Sequence, residues 1–460
     1  MSFDDLVSWL GDGAIPYYLA LAKCVFAVLF VMQLVPVLIW AERKGAAYIQ
    51  DRPGPNRAHI MGIRAGGLVH TLNDVVKLVM KEDIIPGHVE KRYWAAAPVI
   101  AMSVALMTWI VVPFGDNFLG YQLKVSDIDG GLLFVLAGTS IGVYGVMLAG
   151  WASNNKFSLL GGLRASAQMV SYELSMGLSA VVVFLMAGSV SLSNIAEMQA
   201  GAIWNWTVFT PVGLLAFVLF WTAAFAETNR TPFDLPEGEA ELVGGYHTEY
   251  SSLRFALFFM GEYANMIVAA SVTATLFFGG YNVPFVTPDM LREHSDGVLI
   301  AAGAAIPLLV VFAVVAWKRR ERPFYQALPA GDARLKEPMF FVAVWLGAAG
   351  ACAALAVAGL LGVSQQLSLN TLTFGWLENA TVFGPDLVAA VVGITVLIAK
   401  VLFGCWFFIW VRWTVPRFRY DQLMDLGWKR MLPLALANVL AAGIWVALFP
   451  NGLLETLGLK

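Results

Sequence analysis

Apolar runs of about 20 residues or more dominate the sequence, and no other feature restricts its fold as strongly. A helix needs about 20 apolar residues to cross the roughly 30 Å hydrocarbon layer of a bilayer. Hydrophobic residues make up 59% of the 460-residue chain and charged residues only 13%. Ten runs cover residues 14–41, 95–113, 131–151, 167–187, 206–226, 251–279, 298–317, 339–361, 386–411 and 429–449. Because the strands of a membrane barrel would be shorter and alternating, the sequence predicts an all-α fold, a polytopic transmembrane helical bundle of about ten spans.

Lysine and arginine fall almost entirely in every second loop, and such basic loops tend to stay on the cytoplasmic side of a membrane. They follow the first, third, fifth, seventh and ninth runs, whereas the opposite segments hold only Lys124, Arg292 and Lys460. A bacterial inner membrane location with both termini in the periplasm is therefore predicted. The first residues lack a basic region, so no cleaved targeting segment is expected.

The loop after the first run contains a predicted surface helix. Residues 53–56 give a rigid turn signal, and apolar residues then recur at helical spacing until Pro86, with Asp74 among the polar residues on other faces. The recurring residues are Leu68, Leu72, Val75, Val76 and Val79. This pattern predicts an amphipathic helix along the membrane surface. It belongs either to a solvated basic loop on anionic lipid or to the floor of a site for an amphiphilic ligand.

Carboxylates are concentrated between residues 227 and 262. They are Glu227, Asp234, Glu237, Glu239, Glu241, Glu249 and Glu262, against only Arg230 and Arg254. Asp234 fits a helix N-cap with Glu237 at the capping-box position. Capping does not explain Glu239 and Glu241, nor Glu262 about three turns into a span. Glu173 is a further carboxylate inside another span.

Closely spaced carboxylates in poorly solvated surroundings cannot all ionise, so their titrations couple. Such a cluster can store protons and pass them on near neutral pH. Three simpler interpretations stay open: a solvated acidic loop, a divalent-cation site, and, for Glu173, a helix-end residue that reaches the interface.

Other chemistry is expected to be absent from the chain. Cys24, Cys352 and Cys405 lie inside apolar runs without paired spacing, which predicts packing roles and no metal site. Gly161 and Gly162 are placed in a short loop, and no Gly-rich phosphate loop follows a strand. We therefore expect no nucleotide, flavin or iron–sulfur cluster on this chain.

Two further basic features are ambiguous. Lys400 is a lone cation inside an apolar run, which predicts either a side chain that reaches the interface or one that pairs with an acid. The last basic loop, residues 412–424, mixes charged and aromatic side chains. That mixture suits either lipid head groups or a docked subunit.

Four motifs resemble the membrane subunit of respiratory complex I that is called ND1 in mitochondria and has a counterpart in bacteria. They are Ala41-Glu42-Arg43-Lys44, then Gly54-Pro55-Asn56-Arg57 with Asp74 to Pro86, the acidic stretch from Glu227 through Asn265, and Arg412 to Met424. The third motif is the most specific. The family core has eight spans, so the resemblance implies an insertion of two. Residues 1–281 are then a six-span core with a quinone-site loop 42–94 and an acidic loop 227–250, residues 282–385 are the insertion, and residues 386–460 are the last two core spans with the basic inner loop 412–430.

The resemblance implies a subunit of a proton-translocating NADH:quinone oxidoreductase. The chain would form the membrane side of the quinone chamber and a carboxylate relay that couples quinone reduction to proton pumping. Matching quinone-chamber positions are Glu42, Arg43, Arg52 and Asp74. Matching proton-relay positions are Glu173, Glu227, Asp234, Glu237, Glu239, Glu241, Glu249 and Glu262.

The same resemblance implies quinone as substrate, with redox cofactors on other subunits and none bound permanently by this chain. The implied partners are hydrophilic quinone-site subunits on the cytoplasmic side, small membrane and antiporter-like subunits laterally, and membrane lipid, but no nucleic acid. Related subunits also anchor membrane-bound hydrogenases and formate hydrogenlyase-type complexes, which is a first alternative. A free-standing ion-coupled transporter is a second, although neither an inverted repeat nor paired broken helices favour it.

Overall fold

Long helices account for nearly all the regular structure of the chain. The computed structural model describes residues 15–449 except 63, 119–120, 127, 129, 237, 239–241, 330–331 and 367–382. The helices are α1 (Ile15–Ile49), α2 (Val69–Met80), α3 (Lys91–Thr108), α4 (Gly131–Ala152), α5 (Lys156–Ala187), α6 (Leu192–Met198), α7 (Pro211–Glu227), α8 (Ser252–Phe277), α9 (Pro288–Glu293), α10 (Ser295–Ala302), α11 (Ile306–Lys318), α12 (Pro323–Gln326), α13 (Glu337–Leu360), α14 (Val363–Gln366), α15 (Phe383–Thr414), α16 (Tyr420–Asp425) and α17 (Leu432–Leu448), with a π-helical turn at Leu426–Met431. One short antiparallel hairpin, β1 (Asn117–Phe118) with β2 (Tyr121–Gln122), is the only sheet in these ranges.

The predicted spans correspond to helices of the structure. Within the described ranges, nine helical segments are long and apolar enough to cross a membrane. The fifth predicted run corresponds to α7, an apolar helix of 17 residues. The predicted fold class, an all-α polytopic transmembrane bundle, is therefore confirmed.

Two predicted boundaries are wrong because the helices continue past the end of the apolar sequence. Helix α1 runs to Ile49, so Glu42 and Arg43 lie inside it and not in a loop. Helix α5 begins at Lys156, so Gly161 and Gly162 are helical. A Cβ atom at Gly161 would lie 2.7 Å from the backbone nitrogen of Tyr246, so glycine there permits close packing.

Helix α8 lies at the centre of the bundle. In its most apolar stretch 61% of the residues are buried, against 6% for each of the two spans between residues 282 and 385. It packs against α3, α15, α1 and α7. Polar side chains on α8, including Glu262, are therefore held inside protein and away from lipid.

A buried ion pair ties the 282–385 region to the first inner loop. The Lys44 ammonium contacts the Glu337 carboxylate, and these side chains are only 3% and 1% exposed. Lys44 also donates to the carbonyl of Pro53 at 2.6 Å, and Asn56 Nδ2 donates to Glu337 Oε2 at 3.0 Å. The beginning of α13 therefore holds the predicted turn at residues 53–56 against the end of α1.

Aromatic packing reinforces this contact at Gly66. Its backbone has φ +61°, and an added Cβ would lie 2.7 Å from Phe341 Cζ and 3.0 Å from Phe340 Cδ1. Trp40 Nε1 donates to the carbonyl of Gly66 at 3.0 Å. The rings of Trp40 and Phe341 are 6.2 Å apart. The loop and the 282–385 region are thus packed as one unit.

Helix α2 is the predicted surface helix, and it ends at Met80 rather than at Pro86. Near its start, His70 Nε2 accepts hydrogen bonds from the backbone N–H groups of Arg57 at 2.9 Å and Ala58 at 3.0 Å. Burial lowers the pKa of His70, and the nearby Arg43 and Lys44 add to this, while Asp74 opposes it. Only the neutral ring has an acceptor nitrogen, so these bonds require an uncharged histidine.

We expect Lys44→Met and Glu337→Met each to loosen the 53–56 turn, because each leaves one buried charge unpaired. Breaking a buried pair in this way costs about 3–5 kcal/mol. The double variant removes both charges and should be more stable than either single variant. Hydrogen exchange rates of the backbone amides in residues 50–57, measured in the assembled complex, show the relative stability of the turn in the three variants. A double variant that exchanges faster than both single variants would contradict this expectation.

We also expect the amides of Arg57 and Ala58 to lose protection as the pH falls. A histidine with a lowered folded-state pKa supports the folded loop fully above its unfolded pKa of about 6.5, and this support is lost below that value. Hydrogen exchange between about pH 7 and pH 5, corrected for the intrinsic rate, measures the effect. His70→Gln keeps an acceptor that does not titrate, so it should abolish the pH dependence. The same pH dependence in the unaltered protein and in His70→Gln would rule out His70 as its cause.

Candidate functional site

Glu42 on α1 lies at the centre of a buried charge network. Its side chain is 8% exposed, and its carboxylate accepts hydrogen bonds from three other elements. Arg230 Nη1, in the loop after α7, is 2.8 Å from Oε2, and the Tyr263 hydroxyl on α8 is 2.7 Å from the same oxygen. Arg412 Nη1, near the end of α15, is 2.5 Å from Oε1. One carboxylate therefore joins four separate segments.

Arg230 links Glu42 to a second acid. Its side chain is 3% exposed, its Nε contacts the Glu262 carboxylate, and its guanidinium lies 4.1 Å from the centroid of the Tyr263 ring. Burial opposes the charged form of Arg230, but Glu262 and Glu42 outweigh that effect and raise its pKa above the ordinary value. Together with Arg412, the network pairs two cations with two carboxylates, as a buried site requires.

The loop that carries Arg230 is fixed by a glutamine on α5. Gln168 is fully buried, and its Nε2 lies 2.8 Å from the carbonyl oxygen of Ala226 and 2.9 Å from that of Phe233. The Thr231–Pro232 peptide bond inside this loop is cis. These contacts hold irregular backbone within the protein, and a membrane bundle tolerates such backbone only where it is buried in protein or lines a water-filled cavity.

Glu262 and Glu227 line one small cavity of about 40 Å³, together with Asn265. Glu227 is buried, and its Oε2 has no hydrogen-bond partner in the described part of the chain. A site of this size and polarity has room for a water molecule. Glu173 contacts the Ser140 hydroxyl and is close enough to Glu227 to interact with it electrostatically. Three of the predicted relay acids thus lie around one polar region.

Asp234 and Glu249 lie in other surroundings. Asp234 is buried and accepts from Arg417 Nη2 at 2.9 Å, so the last basic loop docks on the acidic loop. Glu249 accepts from Asn155 Nδ2 at 2.7 Å and lies 3.8 Å from His88 Nε2. The predicted N-cap role of Asp234 is wrong, because Leu235 and Pro236 form a turn and Gly238 is not helical. The remaining predicted relay acids, Glu237, Glu239 and Glu241, lie outside the described residues.

The four predicted quinone-chamber residues are found in three places. Glu42 belongs to the buried network. Arg43 contacts Asp74 of α2 in a half-exposed ion pair. Arg52 is exposed and donates to the Gln50 side chain, beside the 282–385 region. The apolar face of α2 next to Asp74 is also exposed.

An apolar groove of about 290 Å³ runs between α1 and α15 beside this network. Val37, Trp406 and Trp410 are among its lining residues. Two others, Ala41 and Trp413, are the chain neighbours of Glu42 and Arg412. The groove therefore combines an apolar wall with a charged region next to it.

Lys400 has partners that sequence reasoning missed. Its ammonium donates to the carbonyls of Phe278, Gly280 and Asn282, each at 2.8 Å. Pairing with an acid, one of the two predicted alternatives, is wrong for the described residues. A cation at the carbonyl end of a helix is favourable, and the glycine pair after Phe278 was the available signal that α8 ends there.

The roles of Arg230, Arg412 and Tyr263 were also missed. Each is separated from Glu42 by 188 residues or more. No local spacing indicates such pairs. The only available signal was that buried acids require cationic or hydrogen-bonding partners.

Comparison with known proteins identifies the family. The NADH dehydrogenase family matches residues 22–327 and 334–443. The chain is 42% identical over 416 residues to "NADH-quinone oxidoreductase subunit 8" of Rhodothermus marinus, covering 90% of this chain and 93% of that protein. It is 38% identical over 429 residues to an NADH-quinone oxidoreductase subunit of Flavobacterium psychrophilum, with 92% and 95% covered. It is 39% identical over 449 residues to an NADH-quinone oxidoreductase subunit of Solibacter usitatus, with 95% and 98% covered.

These matches span nearly the whole of each protein, and the structure shows the multi-pass helical bundle expected of such a subunit. The chain therefore belongs to the NADH dehydrogenase family and is a membrane subunit of an NADH-quinone oxidoreductase of the complex I type.

Proposed function

We propose that this subunit forms the membrane side of the quinone chamber and passes the effect of quinone reduction to a carboxylate relay. The observation that carries the proposal is the chain of contacts from Glu42 through Arg230 to Glu262, together with the small cavity that Glu262 and Glu227 both line. Glu42 lies beside the predicted chamber, and Glu262 and Glu227 belong to the predicted relay.

Quinone is the proposed substrate, and its reduction consumes protons and changes the charge in the chamber. The groove between α1 and α15 suits an apolar tail, whereas Arg43 and Asp74 suit a polar head. Arg52 is proposed as a quinone-chamber residue because its position matches the family motif. Redox cofactors are proposed to lie on other subunits that dock on the basic side.

The network provides a physical means of coupling. Glu42 shares Arg230 with Glu262, so a change in the charge of Glu42 alters the electrostatic support of Glu262. Glu262 in turn faces Glu227 across space for a water molecule, which is within the range of proton transfer. Asp234, Glu249 and Glu173 are proposed to extend the relay.

Glu227→Gln tests the relay with little disturbance of the structure. No cation pairs with Glu227 in the described ranges, and glutamine has the same shape but does not titrate. We expect quinone-linked turnover and proton pumping in proteoliposomes to fall by roughly 100-fold, the lower end of what a positioned acid–base group contributes. Glu293→Gln is the matched control, since Glu293 is exposed on α9 and should change neither rate. Normal turnover and pumping in an assembled Glu227→Gln complex would refute the relay role.

Arg230→Met tests the network itself. It leaves Glu42 and Glu262 with less cationic support, and breaking a buried ion pair costs about 3–5 kcal/mol. We expect lower thermal stability of the assembled complex and slower turnover. Arg419→Gln is the control, because Arg419 pairs with Asp421 while these side chains are 75% and 67% exposed, and such pairs contribute at most about 1 kcal/mol. Equal stability losses in the two variants would show that Arg230 is not specially placed.

A further inference from the structure

A cavity of about 200 Å³ lies between the end of α1 and the segment that follows α11. Three arginines line it: Arg52, Arg319 and Arg322. The one acid in its lining is Asp51, which lies 3.6 Å from Arg322. Three positive charges against one negative charge leave the cavity with a net charge of +2. The nearby Glu337 does not reduce this excess, because it already pairs with Lys44.

The cavity lies at the ends of two long apolar helices, the position that corresponds to a membrane surface. Helix α1 ends at Ile49 and α11 ends at Lys318, so two spanning helices finish beside it on the same face. The guanidinium of Arg319 lies 4.4 Å from the centroid of the Tyr48 ring, which holds one cation in place. Basic and aromatic residues at helix ends are typical of the head-group region of a bilayer.

The surface below the cavity is apolar. Leu308, Val311 and Val315 on α11 are about half exposed or more. An amphiphile with its head between the arginines would therefore lay its chains along α11. The fork of an arginine guanidinium matches phosphate oxygens and can bind two of them at once.

We propose that this cavity binds the phosphate head group of an anionic phospholipid, whose acyl chains lie on α11. The site uses the 282–385 region, to which no function had been assigned. It is separate from the Glu42 network. Arg52, which the motif match assigns to the proposed quinone chamber, also lines this cavity, so the test uses Arg319 and Arg322, which have no proposed role in the quinone or relay functions.

The test uses the assembled complex in nanodiscs of phosphatidylglycerol or phosphatidylcholine, followed by detergent extraction and native mass spectrometry of retained lipid. We expect Arg319→Gln and Arg322→Gln each to lower retention of phosphatidylglycerol roughly fivefold, and the double variant about 25-fold. Arg320→Gln is the matched control. It removes the same charge from the next residue, but Arg320 stacks on Trp317 and does not line the cavity, so its effect should stay below about twofold.

Arg319→Lys separates binding from folding. It keeps the charge and should keep most of the lipid, with the same subunit composition as the unaltered complex. Equal losses of phosphatidylglycerol in Arg320→Gln and Arg319→Gln would overturn the proposal, because they would show that any positive charge on this surface retains the lipid. Displacement of the lipid by millimolar inorganic phosphate would overturn it in favour of a free-phosphate site. Loss of a subunit with unchanged lipid would overturn it in favour of a protein partner.

Discussion

The pairing of Glu42 with two guanidiniums holds the candidate functional site of this subunit together. A lone carboxylate at this depth would be costly to bury, and one cation would leave its other oxygen unsatisfied. Arg230 and Arg412 arrive from opposite directions along the chain, one from the loop after α7 and one from the end of α15. The irregular loop between α7 and α8 can therefore remain inside the bundle, because its cation Arg230 has fixed partners on two helices, α1 and α8.

The 282–385 region stabilises a different part of the structure, the first inner loop. The first inner loop carries the turn at residues 53–56, the glycines at 66 and 67 and the surface helix α2. Glu337, Phe340 and Phe341 supply a charged and an aromatic contact from outside the core. The two spans of this region are largely exposed along their own length, but the Lys44 and Glu337 side chains at their junction with the loop are only 3% and 1% exposed.

Much of this arrangement could be predicted from the sequence. The remaining features could not, and each has an identifiable physical reason. The spans could be predicted because each needs an apolar run of about 20 residues. Helix α2 could be predicted because its apolar residues recur at helical spacing. The position of Glu42 could not, because a helix ends where its backbone hydrogen bonds end, and α1 continues through charged residues to Ile49. The pairs Glu42 with Arg412 and Lys44 with Glu337 join residues 370 and 293 positions apart. Spacing within a motif contains no information on such contacts.

The side chains of α8 beyond Glu262 offer no route for a proton along this helix. After Tyr263 the helix continues to Phe277 with apolar, amide and hydroxyl side chains only, a distance of about 21 Å at 1.5 Å per residue. At the far end the fixed ammonium of Lys400 covers the terminal carbonyls and repels any approaching cation. No titratable step therefore connects the buried acids to the opposite surface along this helix. In the proposed relay, α8 therefore offers no path for a proton from Glu262 to its far end, and the neighbouring acid that shares a cavity with Glu262 is Glu227, at the end of α7.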